Sequence, residues 1–284
     1  MIISIINHSN GKISDEDLQF VIRAVNRQIA EDFAPYWSLG ATLRLEGRSE
    51  KAPTKMDMLD LRGDAIIYLW DKLDVDDALG YHDKNARGIP YGFVFTELSK
   101  QLGEAWSVTL SHEALELIAD PDVNLLVMGP HPANPKKTVF HWYEMSDAVQ
   151  DESYKIDGVG VSNFVLPLYF TGSDEPGGRN DFLGTSYKGG KTLNSFGVNP
   201  GGYVGFYDPE TDDNETFTRK GDARAKKRLK LKGEARTARR AQRYKRFTTK
   251  ALIEGKPLKK SARGALAAQP LGCETPGRER KTGV

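Results

Sequence analysis

Few segments constrain this chain as tightly as SVTLSHEALELIADP, residues 107–121. Placed on a helix at about 100° per residue, His112 and Glu116 lie one turn apart on one face. Glu113 sits one step round from them and Asp120 continues the same side. Leu110, Ala114, Leu115, Leu117 and Ile118 fill the remainder. A surface helix shows a broad polar face, whereas one that is apolar nearly all round belongs in an interior. An inward carboxylate is costly there unless something compensates it, and a metal ion does so. The segment therefore predicts a buried helix that carries titratable groups to a site.

The flanking pattern supplies a sheet for that helix. IISII, residues 2–6, is a short β-branched run that reads as a buried strand. Ser14 then caps SDEDLQFVIRAVNRQIAEDF, in which Leu18, Val21, Ile22, Val25 and Ile29 keep helical spacing behind a first turn of acids. ATLRLEG alternates as a half-buried strand, DAIIYLWD reads as a second buried strand, and PYGFVF, from about Tyr91 to Phe95, as a third. The polar, Gly-containing ALGYHDKNARGIP between the last two reads as a loop. Past the motif helix, VFHWYEMSD reads as a strand entering a loop, and DGVGVSNFVLPLYF as a strand or hairpin pair. A Gly-rich stretch over residues 172–200 follows, and GGYVGFYDPETDDNETF reads as a hairpin turning at DPETDDN. Its clustered acids lack the spacing of an EF-hand loop.

Charge divides the chain. Residues 1–218 carry 18 Lys+Arg against 34 Asp+Glu, whereas residues 219–284 carry 22 against 5. A near-neutral total of +1 thus conceals an acidic body long enough to bury a core and a basic tail poor in large apolar residues. Such a tail is expected to be flexible, with helix formation over residues 222–246 on binding. The lone Cys273 lies in the tail, so no disulfide framework is expected within the chain. The opening residues show no cationic leader, and no window approaches about 18 consecutive apolar residues. The expectation is a cytoplasmic protein, or a virion-associated one if phage-encoded.

The chemistry implied by His112-Glu113-Ala114-Leu115-Glu116 follows from spacing. In HExxH two ligands one turn apart hold Zn²⁺ and the intervening Glu works on the bound water. Here the second ligand position is Glu116, which zinc accepts but which hardens the site, leaving Mn²⁺, Fe²⁺ or Ca²⁺ as competitors. A hydrolytic zinc centre takes three protein ligands and keeps one position open. The best downstream cluster is FHWYEMSD. Glu144 is the preferred third ligand with Asp147 behind it; the reverse assignment stays open, and His141 is an outside candidate. His82 reads as structural. Tyr143 or Tyr154 could serve as the donor that a developing oxyanion needs.

With these residues in place the chain resembles the zincin superfamily of metallopeptidases. More closely, SHEALELIADP followed by WYEMSDAVQDESY is similar to a set of bacterial and phage proteins with an HExxE…DP helix and a later Glu-x-x-Asp segment. The resemblance covers roughly residues 1–210. It implies an α+β fold in which a twisted mixed sheet and an N-terminal helix precede the active-site helix. It also implies that the last strand before that helix, PYGFVF, is an antiparallel edge where Phe93 to Phe95 bind extended peptide by strand addition. The implied organisation is a zincin-like subdomain over 1–130, a Gly-rich C-terminal subdomain over 131–218 supplying the third ligand, and a basic tail over 219–284. The implied activity is a metal-dependent peptidase acting on a peptide or protein substrate, zinc being the first-choice cofactor and Glu113 the general base. A shorter spacing from Glu144 to Asp147 than the superfamily's Glu-ligand members show puts the division of roles between those two in question.

A second expectation comes from the tail. Lys226, Lys227, Arg228, Arg239, Arg240 and Arg243 fall in a run, with Tyr244 and Phe247 interleaved, that suits nucleic acid or another polyanion. A non-catalytic interaction protein on a zincin-like fold, its tail recruiting a polyanion, is the alternative to the peptidase.

Overall fold

The structure is a computed structural model that describes residues 1–46, 63–71, 80–84, 89–101, 103–172, 178–186 and 191–227; for residues 80–84, 98 and 101 only the backbone is described. It is a mixed α/β fold with two main sheets and few helices. The first sheet comprises β1 (Ile2–His8), β2 (Thr42–Leu45), β3 (Ala65–Trp70), β4 (Gly80–Lys84) and β5 (Pro90–Phe95), ordered β2-β1-β3-β5-β4. All neighbours are parallel except β4, which runs antiparallel to β5.

Alternation sends Ile3, Ile5, Ala65, Ile67, Leu69 and Val94 into the main core. There they meet Leu18, Val21, Ile22 and Val25 from α1 (Asp15–Arg27). The opposite face is buried as well, with Ile6, Ile66, Tyr68, Tyr91, Phe93 and Phe95, as parallel strands generally require. The outer edge of β2 is closed at Leu43, whose N–H and C=O both bond the Asn26 side chain, at 2.7 and 2.9 Å.

Helix α1 begins as its sequence predicts: Ser14 caps it, its Oγ accepting from Asp17 N at 3.0 Å. The chain then passes without a break into a π-helical segment, Gln28–Phe33, and a short helix α2 (Ala34–Trp37). After β5 come α3 (Thr96–Gln101) and the motif helix α4 (Trp106–Ala119). Every residue from 109 to 120 is buried. Helix α4 packs against β5 and β4 and against the hairpin formed by β8 (Ser153–Ile156) and β9 (Val159–Ser162).

The second sheet is antiparallel throughout, from β6 (Leu126–His131), β7 (Asn134–Trp142), β10 (Val204–Asp208) and β11 (Asp213–Phe217), in the order β11-β10-β7-β6. Its β10–β11 hairpin turns at the acidic DPETDDN segment, as expected. Among the described residues no helix is long and apolar enough to cross a membrane.

Two expectations are corrected. PYGFVF is not an edge: β5 pairs with β3 on one side and β4 on the other, so the backbone of Phe93 to Phe95 is committed within the sheet. The edge is β4, GYHDK, from the segment read as a loop. A polar, charged composition suits an edge strand, because charge there discourages pairing with other chains. It also erases the apolar alternation by which strands are read from sequence.

Candidate metal centre

Helix α4 ends in a way that aims the chain back at its own titratable face. Asp120 N–H bonds the Glu116 carbonyl at 2.8 Å, while the Asp120 carboxylate accepts from Asn124 N at 3.1 Å and Leu125 N at 3.0 Å. The loop so formed, with Val123 at φ 52°, leads into β6. Asp120, on the same side as His112 in sequence, is thereby a turn-former. Strand β7 then returns the chain, and the Glu144–Asp147 segment crosses the helix.

That segment is held by its backbone. Tyr143 N bonds Leu125 O at 3.3 Å, Val165 N bonds Met145 O at 2.7 Å, Tyr203 N bonds Asp147 O at 3.0 Å and Asn199 N bonds Ala148 O at 2.9 Å. Met145 is fully buried as the anchor. Gly202 presses so close to the Ala148 carbonyl that a Cβ there would collide with it. The backbone N–H of Ser146 also reaches Glu116 Oε1 at 3.3 Å, tying the segment to the helix.

Five side chains converge as a result. His112 Nε2 lies 3.1 Å from Glu116 Oε1 and 3.4 Å from Asp147 Oδ1. His112, Glu113 and Glu116 form one group able to hold a metal ion, and Glu116, Glu144 and Asp147 a second, with donor atoms in each within 4.8 Å of one another. Glu116 belongs to both. Exposure is 0% for Glu113 and Glu116, 1% for Asp147, 3% for His112 and 6% for Glu144.

The donor chemistry fits a divalent cation. Carboxylates at this separation disfavour one another's ionised form, and burial adds a desolvation cost. A cation among them reverses both effects. One imidazole with several carboxylate oxygens is acceptable to zinc and equally to harder ions.

By proximity Glu144 and Asp147 fall with Glu116 in the second of these groups, and His141 falls in neither. His141 Nε2 lies 2.9 Å from Pro130 O, and its ring packs 4.6 Å from the Phe196 centroid. Burial lowers its pKa to about 4. Tyr154 is likewise spent elsewhere: its hydroxyl donates to Asp32 Oδ2 at 2.6 Å and accepts from Gln28 Nε2 at 3.2 Å. Tyr143 stands half-buried among aromatics, 5.8 Å from Trp37 and 4.7 Å from Phe170 between ring centroids. Burial and then the charge of Asp120 push its hydroxyl pKa up. The backbone of His82 pairs with Gly92 in β4–β5.

Sequence reasoning missed several groups around the centre. Tyr169, fully enclosed, feels the Asp147 charge and donates its hydroxyl to Gly197 O at 2.8 Å. Ser111, next to the motif histidine, bonds Gln28 and Ser162. A serine within a largely apolar helical run was the sequence signal for the latter.

Of the cationic residues, Lys226 and Lys227 are exposed on a helical turn over 223–227, which Asp222 caps by accepting from Ala225 N at 2.9 Å. Arg228, Arg239, Arg240 and Arg243, and the rest of the tail, lie outside the described residues. No family model matches the chain, and no curated protein does.

Proposed function

We propose that this protein is a metal-dependent hydrolase of the zincin type, acting on peptide bonds. The observation that carries the proposal is the convergence of His112 and Glu116, one turn apart on a buried helix, with Asp147 from a distant segment, and of Glu144 with Glu116 and Asp147. His112, Glu116 and Glu144 would hold the ion, with Asp147 against His112; Asp147 as ligand and Glu144 behind it is the other division. A divalent ion held there, zinc first and Mn²⁺ or Fe²⁺ next, supplies an acidified water and a polarised carbonyl. The Glu113 carboxylate takes the proton from the attacking water and passes it to the leaving amine. The antiparallel edge strand β4, against which α4 packs, offers an extended peptide a place to pair, in keeping with the zincin resemblance. A centre with one imidazole and several carboxylates is a weaker Lewis acid than one with two, so turnover is slow.

A second reading draws on burial. Donors exposed by no more than 6% resemble a closed structural site more than one with an open position. In that reading the ion stabilises an interaction protein whose basic tail binds nucleic acid or another polyanion.

Metal analysis of purified protein together with Glu113→Gln separates the two. The peptidase requires stoichiometric metal in both proteins and loss of peptide-library hydrolysis in the variant alone. Metal retained with no hydrolysis by wild type supports the structural reading. No stoichiometric metal in wild type, with stability unchanged by Glu116→Ala, eliminates both.

A further inference from the structure

Hydrophobic burial is non-directional, so a helix that is apolar nearly all round has no strong preference for which face it turns where. Helix α4 is in that position, yet its function demands one rotation. A slip of one residue turns it by about 100° and carries His112 away from Asp147. Something polar must choose the rotation.

Two serines one turn apart do this. Ser107 Oγ donates to Gly160 O at 2.8 Å. Ser111 Oγ donates to Gln28 Oε1 at 2.5 Å and accepts from Ser162 N at 3.0 Å. Gly160 and Ser162 are two apart on β9 and so present their bonds to the same helix face. Gln28 completes the clamp: its Nε2 donates to Ser162 O at 2.7 Å and to Tyr154 OH at 3.2 Å, and Tyr154 donates to Asp32 Oδ2 at 2.6 Å. Gln28 and Ser111 are 0% exposed, so neither can turn to water. Gln28 and Asp32 stand on the π-helical segment that interrupts the end of α1, a rare geometry that tends to mark functional places.

We infer that Gln28 is a positioning residue for the metal centre: through Ser111 it sets the rotation of α4, and so the place of His112 and Glu116 relative to Asp147. The inference rests on the metal reading of that centre. Orientation of first ligands by hydrogen-bonded neighbours typically governs metal affinity by roughly 10- to 100-fold.

The test uses the full chain with Ser111→Ala, Gln28→Leu, their double variant and Tyr154→Phe. Zn²⁺ affinity is measured by chelator competition well below the melting temperature, and the His112 ring resonances are recorded by NMR in metal-free protein. Each of the first two changes weakens Zn²⁺ binding by roughly 10- to 100-fold, and the double variant loses less than the two single losses combined, because both break the Ser111–Gln28 bond. Tyr154→Phe, which keeps its ring and removes only the outer hydroxyl, weakens binding less in the same direction. In metal-free protein Ser111→Ala and Gln28→Leu shift the His112 ring signals and leave those of His131 in place. A lower melting temperature with unchanged Zn²⁺ affinity and unchanged His112 signals would reduce the clamp to ordinary packing and overturn the inference. If wild type binds no Zn²⁺, the metal reading fails, and the His112 signals still decide whether Gln28 positions the helix. Should Gln28→Leu not fold, Ser111→Ala and Tyr154→Phe carry the decision by the same two measurements.

Discussion

Helices α1 and α4 are nearly equal in length and solve opposite problems. Helix α1 wears its orientation in its sequence: Leu18, Val21, Ile22, Ala24 and Val25 are buried, Ser14 caps it, and Asp15, Glu16 and Asp17 stand at its positive end. Helix α4 has neither a side-chain N-cap nor an exposed face along residues 109–120. Its location follows from being apolar, but its rotation is set by hydrogen bonds to distant segments. Amphipathic pattern orients a helix that half faces water, and polar contacts must orient one that does not.

The largest expected effect concerns what α4 carries. If the centre takes zinc, free zinc at 1,000 times its dissociation constant raises unfolding stability by about 4 kcal/mol, and removing it with a chelator lowers the melting temperature accordingly. An unchanged melt on chelation would leave α4 with no more than packing to explain its charges. Next comes packing itself. Leu115→Ala, at a fully buried position of α4, should cost about 2–5 kcal/mol in urea unfolding. Phe20→Ala, 45% exposed on α1, should stay within about 0.5 kcal/mol. Equal losses at the two sites would erase the distinction between the helices. Smaller again is the cap: Ser14→Ala removes the acceptor for Asp17 N and should cost about 1 kcal/mol.

The smallest effect is a pH slope in the hairpin region beside α4. Burial raises the Glu152 pKa from 4.5 to about 6, partly offset by amide bonds from Asn199 and Asn163. The folded state then binds the proton more tightly than the unfolded one. This contribution to stability is complete below pH 4.5 and is lost as pH rises through about 6. Urea unfolding over that interval should show a downward slope that Glu152→Gln flattens.

Sequence alone determined much of the first sheet and both long helices. The apolar runs of β1, β3 and β5 and the spacing in α1 are local patterns that burial enforces directly. His112, Glu113 and Glu116 were legible for the same reason, since three positions within one turn and a half need only a helix to bring them together. Tertiary structure decided the rest. β4 hid in a polar segment because an edge strand needs no apolar alternation, and its insertion turned PYGFVF from an edge into an interior strand. Glu144 and Asp147 were visible as candidates, but only the return of β7 and the pressure of Gly202 on the Ala148 carbonyl bring both to the helix. Gln28 and Ser111 are 83 residues apart, and nothing in local pattern announces a bond between them. Short-range spacing can place donors on one face of a helix; long-range hydrogen bonding decides where that face points.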